Sequence, residues 1–129
     1  MTPSETPAPV VLFVDADILV RSAVGAYLRE CGYIVIEAAS TDEAIAVLGR
    51  PEIDLDIDVL DVDTPGAVDG FGLARWAAEH RRDVRVVLAA TVQRMATLAA
   101  DLCKDGPQLR VPYDHTALLD FIKRLRIER

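Results

Sequence analysis

Acidic residues follow directly on two of the short apolar runs of this chain. Val10–Val14 runs into Asp15-Ala16-Asp17, and Ile53–Leu60 runs into Asp61-Val62-Asp63-Thr64-Pro65-Gly66. Residues 51–70 hold seven acids (Glu52, Asp54, Asp56, Asp58, Asp61, Asp63, Asp69) and no base. The 129-residue chain has 21 acids and 14 bases, so the net charge of −7 resides in that stretch. Carboxylates gathered this densely read first as a site for a hard divalent cation, which takes oxygen ligands. Nitrogen and sulfur ligands are poorer candidates. His80 and His115 stand alone in helical surface contexts, and Cys31 and Cys103 lack CxxC spacing. The two cysteines read as free buried thiols in a reducing cytoplasm.

The elements that must position these acids alternate regularly. VVLFV at Val10–Val14 is the continuous apolar run of a strand buried on both faces. Residues 18–31 follow as a helix capped by Asp17 and ended by Gly32. Tyr33–Ile36 is a second strand. Ser40 and Glu43 form a capping box that opens a helix ending near Gly49-Arg50-Pro51. Ile53–Leu60 is the third strand, followed by an Asp-, Pro- and Gly-rich loop and a helix over Phe71–His80 that Asp69 caps. Val84–Ala89, a helix over Thr91–Cys103, Leu109–Val111 and a final helix capped by Asp114 complete five βα units. Such a pattern specifies an α/β fold with a doubly wound parallel sheet. Ligands bind such sheets at the carboxyl ends of the strands, where Asp15, Asp61 and Asp63 stand.

The segments LFVDAD, LDVDTPGAVDGF and VPYD, in this order and spacing, resemble CheY-like receiver domains of two-component response regulators. The resemblance spans residues 9–127. It implies a flavodoxin-like sheet of five strands in the order 2-1-3-4-5 with five helices, residues 9–129 forming one domain and residues 1–8 a flexible tail. It also implies that Asp61 is the phosphoacceptor and that Mg²⁺ is held by Asp15, Asp61 and Asp63, the last through its carbonyl. A carboxylate needs such a cation to accept an anionic phosphoryl group. The implied partners are a sensor histidine kinase or phosphotransfer protein. The implied docking surface includes Met95, Arg110, Tyr113 and the basic last helix.

Four positions depart from the family pattern. The second acid of the metal pair is Ala16. The hydroxyl position falls on Ala89 or Ala90, with Thr91 one or two residues late. The Lys position is Val111, and the aromatic switch position is Gln108. Two carboxylates about 5 Å apart repel by roughly 3 kcal/mol at an effective dielectric near 20. Replacing one acid by Ala16 and the Lys by Val111 removes one charge of each sign. The changes together describe a pocket rebalanced towards weak or lost Mg²⁺ and phosphate. Asp17 reads as a helix cap rather than a substitute ligand. Asp58 has no explanation, because receivers place an apolar residue three before the acceptor. Either the strand starts late, with Asp54 and Asp56 at its wet mouth, or Asp58 has a local partner.

The sequence is therefore expected to act as a stand-alone cytoplasmic receiver, through protein contacts, and not as an enzyme. A phosphorylation-independent pseudo-receiver adaptor is the alternative. LFVDADIL also resembles the first motif of haloacid-dehalogenase-like phosphatases, with Asp15 as nucleophile and Asp17 as acid/base, but Leu19 stands at the Thr or Val position. No nucleic-acid or membrane role is expected. The balance is acidic, and the longest unbroken apolar runs are five residues against the roughly 20 a membrane span needs.

Overall fold

The computed structural model describes residues 8–106 and 114–128. The elements run β1 (Val10–Val14), α1 (Ile18–Glu30), β2 (Ile34–Ala38), α2 (Thr41–Leu48), β3 (Ile57–Asp61), α3 (Gly70–His80), β4 (Arg85–Ala89), α4 (Val92–Asp105) and α5 (His115–Glu128). The strands form a parallel sheet in the order β2-β1-β3-β4. The fifth strand expected at Leu109–Val111 lies outside the described residues. So do residues 1–7 of the expected tail. No helix among the described residues is long and apolar enough to cross a membrane.

The sheet separates two apolar layers. Phe13 of β1 and Val59 of β3 face α1, α4 and α5, packing with Val24, Tyr27, Met95 and Leu118. Leu12 and Leu60 face α2 and α3, packing with Ala44, Leu48, Leu73 and Ala77. Val59 and Leu60 are both buried because the strand is covered on both faces, so its alternation is unbroken there. Helix starts follow the local capping chemistry. Asp17 Oδ1 accepts from Leu19 N at 2.9 Å, and Ser40 Oγ accepts from Glu43 N at 3.1 Å. Asp69 Oδ1 accepts from Gly72 N at 2.7 Å, and Asp114 Oδ1 from Ala117 N at 2.9 Å.

β3 starts at Ile57, four residues later than the apolar run begins. Asp54 and Asp56 lie outside it and are exposed. Asp56 Oδ2 accepts from Val10 N at 2.7 Å, which ties the entry of β3 to the start of β1. Arg81, buried at the end of α3, donates to Leu48 O at 2.8 Å and Ile53 O at 3.0 Å and pairs with Asp83. Its guanidinium thus satisfies carbonyls at the end of α2 and in the loop before β3.

Asp58 remains inside the strand, opposite Leu12 on β1 and Val86 on β4. Alternation points it, like Leu12 and Leu60, at the α2/α3 layer. It is fully buried, and neither carboxyl oxygen has a hydrogen-bond partner among the described residues. Of the two sequence expectations, the late start holds and the local partner is missing. Desolvation alone pushes its carboxyl up to about 7.

Cys31 and Cys103 are joined in a disulfide, with Cα atoms 5.3 Å apart across 72 residues. This corrects the expectation of free thiols. The spacing excluded only a local motif. The fold brings the C-cap of α1 against the last turns of α4, a contact invisible in linear spacing.

Two stability measurements follow. The folded carboxyl of Asp58 titrates above the unfolded value of 3.8, so its favourable state is the protonated one. Stability is then highest below the unfolded value and falls as pH rises towards about 7, by on the order of 4 kcal/mol in all. Asp58→Val should flatten that decline and raise the urea midpoint at pH 8. An unchanged pH profile in the variant would refute the assignment. Opening the disulfide with reductant, or by Cys103→Ser, should lower the unfolding free energy by about 4 kcal/mol, the chain-entropy value for a loop of this size. Equal urea midpoints with and without reductant would contradict it.

Candidate functional site

The register of three parallel strands builds the site. Leu60 pairs with Val14 on β1, and Asp61 pairs with Ala89 on β4. Asp15 and Asp61 therefore leave the same end of adjacent strands. A pocket of about 270 Å³ opens there, lined by Asp15, Asp61, Asp63, Ala90, Thr91, Val92 and Met95. The three acids expected from sequence are brought together. Asp17 is not among the lining residues, because its carboxylate caps α1.

The backbone fixes the carboxylates. Asp15 is buried, and its Oδ1 accepts from Asp17 N at 2.9 Å. Asp61 Oδ1 accepts from Asp63 N at 3.3 Å, and Thr64 Oγ1 donates to Asp61 O at 2.7 Å. Arg21 Nη1 donates to Asp15 O at 2.8 Å while its Nε pairs with Glu37 at 3.3 Å. A cation thus sits behind Asp15, already shared with another acid. Sequence reading missed Arg21, although its position one turn after Asp17 was the available signal.

The wall opposite the acids comes from the N-terminus of α4. Ala90 lines the pocket while Ala89 is buried in β4, which assigns the pocket-facing position to Ala90. Thr91, one residue after Ala90, also lines the pocket. Its Oγ1 accepts from Arg94 N at 3.0 Å as the α4 cap, so the hydroxyl proton is not committed to that bond. Met95 is 2% exposed and lines the inner wall, so it is not part of an open docking surface. Val111, Gln108, Arg110 and Tyr113 lie outside the described residues.

The donor set does not fit a tightly held Mg²⁺. Among the described residues, no three His, Cys, Asp or Glu side chains converge closely enough to hold a metal ion. Ala16 supplies no carboxylate where the resemblance requires one. Two carboxylates with water could still hold Mg²⁺ weakly, since that ion keeps several of its waters.

No family model and no curated protein matches the sequence. Solved structures share the fold over most of the chain. The receiver domain protein (CheY-like) from Methanospirillum hungatei JF-1 superposes with a TM-score of 0.60 at 20% identity, covering 95% of this chain and 96% of that one. A response regulator from Thermotoga maritima gives 0.58 at 25% identity, over 92% and 98%. The Saccharomyces cerevisiae complex of the phosphotransfer protein Ypd1 with the receiver domain of Ssk1 gives 0.58 at 20%, over 91% and 88%.

The fold is that of a CheY-like receiver domain.

Within that fold the β3–α3 loop is pinned to α2. Thr41 Oγ1 donates to Val68 O at 2.7 Å, and Thr41 N donates to Pro65 O at 2.9 Å. Gly66 has a φ of +153°, and a Cβ there would collide with the Thr41 side chain. The loop leaving Asp61 is therefore held by α2, which limits how far Asp63 can move. Gly66→Ala should destabilise the fold by roughly 1–3 kcal/mol, and Thr41→Val by about 1 kcal/mol through the lost hydrogen bond. Thermal unfolding of both variants checks this, and a neutral Gly66→Ala would sink the pinned-loop assignment.

Proposed function

We propose that this chain is a receiver module of two-component phosphorelay signalling, acting through protein–protein contacts, with Asp61 at the phosphoacceptor position and a weakened Mg²⁺ and phosphate pocket. One observation carries the reading. The register of β1, β3 and β4 places Asp61 beside Asp15 in a solvent-open pocket, in a chain with the receiver fold. Asp61 offers its carboxylate as the nucleophile, and Thr91 offers a hydroxyl across the pocket. Its partner is a sensor histidine kinase or a phosphotransfer protein, as in the yeast complex of Ypd1 with a receiver domain. Exposed Ile18, 58% accessible at the start of α1 and three residues after Asp15, gives such a partner apolar surface. The module transmits a state and has no turnover of its own. Cytoplasmic residence follows from such partners.

A second reading rests on Ala16 and Ala90. Without a second acid and without a hydroxyl at the first position after β4, the pocket favours a phosphorylation-independent adaptor in one fixed state. Incubation with a small phosphodonor and Mg²⁺, followed by intact mass, separates the two. The relay predicts a slow phosphoryl adduct that disappears in Asp61→Asn. Ala16→Asp should tighten Mg²⁺ binding and speed the adduct by about tenfold or more, since ligand charge sets affinity for hard cations. No adduct in either background, with a histidine kinase partner still bound, leaves only the adaptor.

A further inference from the structure

Cys31 and Cys103 play no part in the pocket, yet they are bonded to each other in the core. Cys31 caps the C-terminal end of α1, and Cys103 lies in the last turns of α4. Neither residue is exposed. Tyr33, just past α1, donates its hydroxyl to Leu102 O at 2.6 Å, so a second bond fastens the same turn of α4. A Cβ at Gly106 would collide with the Tyr33 ring, so the chain leaving α4 packs directly on that tyrosine.

The opposite end of α4 is the pocket wall, through Thr91, Val92 and Met95. The opposite end of α1 is Asp17, whose backbone N–H holds Asp15. The two helices that flank the acids are thus joined covalently at their far ends. Both helices also bury apolar side chains, Met95, Leu98 and Leu102 on α4 and Val20, Val24, Tyr27 and Leu28 on α1. The covalent bond adds to that packing at the end of α4 farthest from the pocket.

We propose that Cys31–Cys103 is a reversible thiol–disulfide site whose oxidised form clamps α4 to α1 and thereby fixes the wall of the acid pocket. The co-reactant is a low-molecular-weight thiol or its disulfide. In reduction, a thiolate attacks one protein sulfur, the S–S bond breaks, and the released cysteine thiolate takes a proton from water. A second thiolate attacks the mixed disulfide, which leaves two protein thiols and one small disulfide. Oxidation is the reverse, so two electrons pass between the two couples and nothing is left over. Both sulfurs are buried, so attack requires the last turns of α4 to lift from α1. Reduction and release of α4 are therefore linked in both directions. A state that holds α4 down protects the bond, and loss of the bond frees α4 at its pocket end as well.

The test uses the full chain, purified without reductant, in buffers of defined reduced to oxidised glutathione ratio. Samples are quenched in acid and alkylated in denaturant, and intact mass counts the thiols. The expected result is a clean exchange between zero and two alkylated cysteines, with reduction under native conditions faster than global unfolding by about tenfold or more. Backbone hydrogen exchange over Val92–Asp105 should rise by about tenfold or more in the reduced chain, while β1 and β3 stay protected. Cys31→Ser and Cys103→Ser should reproduce that exchange pattern in the absence of glutathione. Should these variants fail to fold, the reduced native chain supplies the same readout. Three results would overturn the proposal: thiols that stay alkylatable in excess oxidised glutathione, reduction no faster than global unfolding, or α4 exchange that is indifferent to the bond.

Discussion

Parallel pairing of β3 between β1 and β4 is the constraint on which the rest depends. Because Leu60 stands opposite Val14 and Asp61 opposite Ala89, the chain must leave all three strands at one level. That level is where Asp15, Asp61 and the cap of α4 meet. A slip of one residue would reverse every side chain on β3, exchanging Val59 and Leu60 between two filled apolar layers. Burial on both faces therefore fixes the register, and the register fixes the pocket. The acids are placed by the apolar residues before them and need no attraction to one another.

The same constraint exposes the cost at Asp58. A central parallel strand leaves no wet side for a carboxyl, and this one is held against Leu12 and Val86 without a partner among the described residues. Desolvation is answered by proton uptake, which is why its carboxyl is pushed up to about 7. A neutral carboxyl three residues before Asp61 also adds less negative charge beneath the pocket than an ionised one would. That spacing limits the burden on Asp15 and Asp61, whose charges the pocket must already accommodate.

Local chemistry was legible in the sequence, and long-range placement was legible only in part. Asp17, Ser40, Asp69 and Asp114 could be read as caps because a cap bonds within three residues of itself. The order of strands and helices was legible because period and turn residues are local too. That Thr91 lines the pocket was not legible, because its place depends on where α4 begins. Met95 was assigned to a docking surface by the resemblance alone, whereas its place on the apolar stripe of α4 buries it. The disulfide was misread because it depends on how α1 and α4 cross, 72 residues apart.

The concentration of acid in residues 51–70 resolves into four separate physical situations. Glu52, Asp54 and Asp56 are exposed at the entry to β3, where charge stays solvated and Asp56 also fastens the start of β1. Asp58 is buried and carries its proton into the neutral range. Asp61 and Asp63 line the pocket at the opposite end of the strand. Asp69 is spent on the cap of α3. The acids are thus spread along the whole length of a strand, and an ion could reach only those at its far end. Density in sequence measured the polarity of both strand ends, and only Asp61 and Asp63 of the acidic run reach the pocket, where Asp15 of β1 joins them. The register of β1 and β3, which brings Asp15 level with Asp61, therefore decides the charge at the pocket more than the number of acids in the run does.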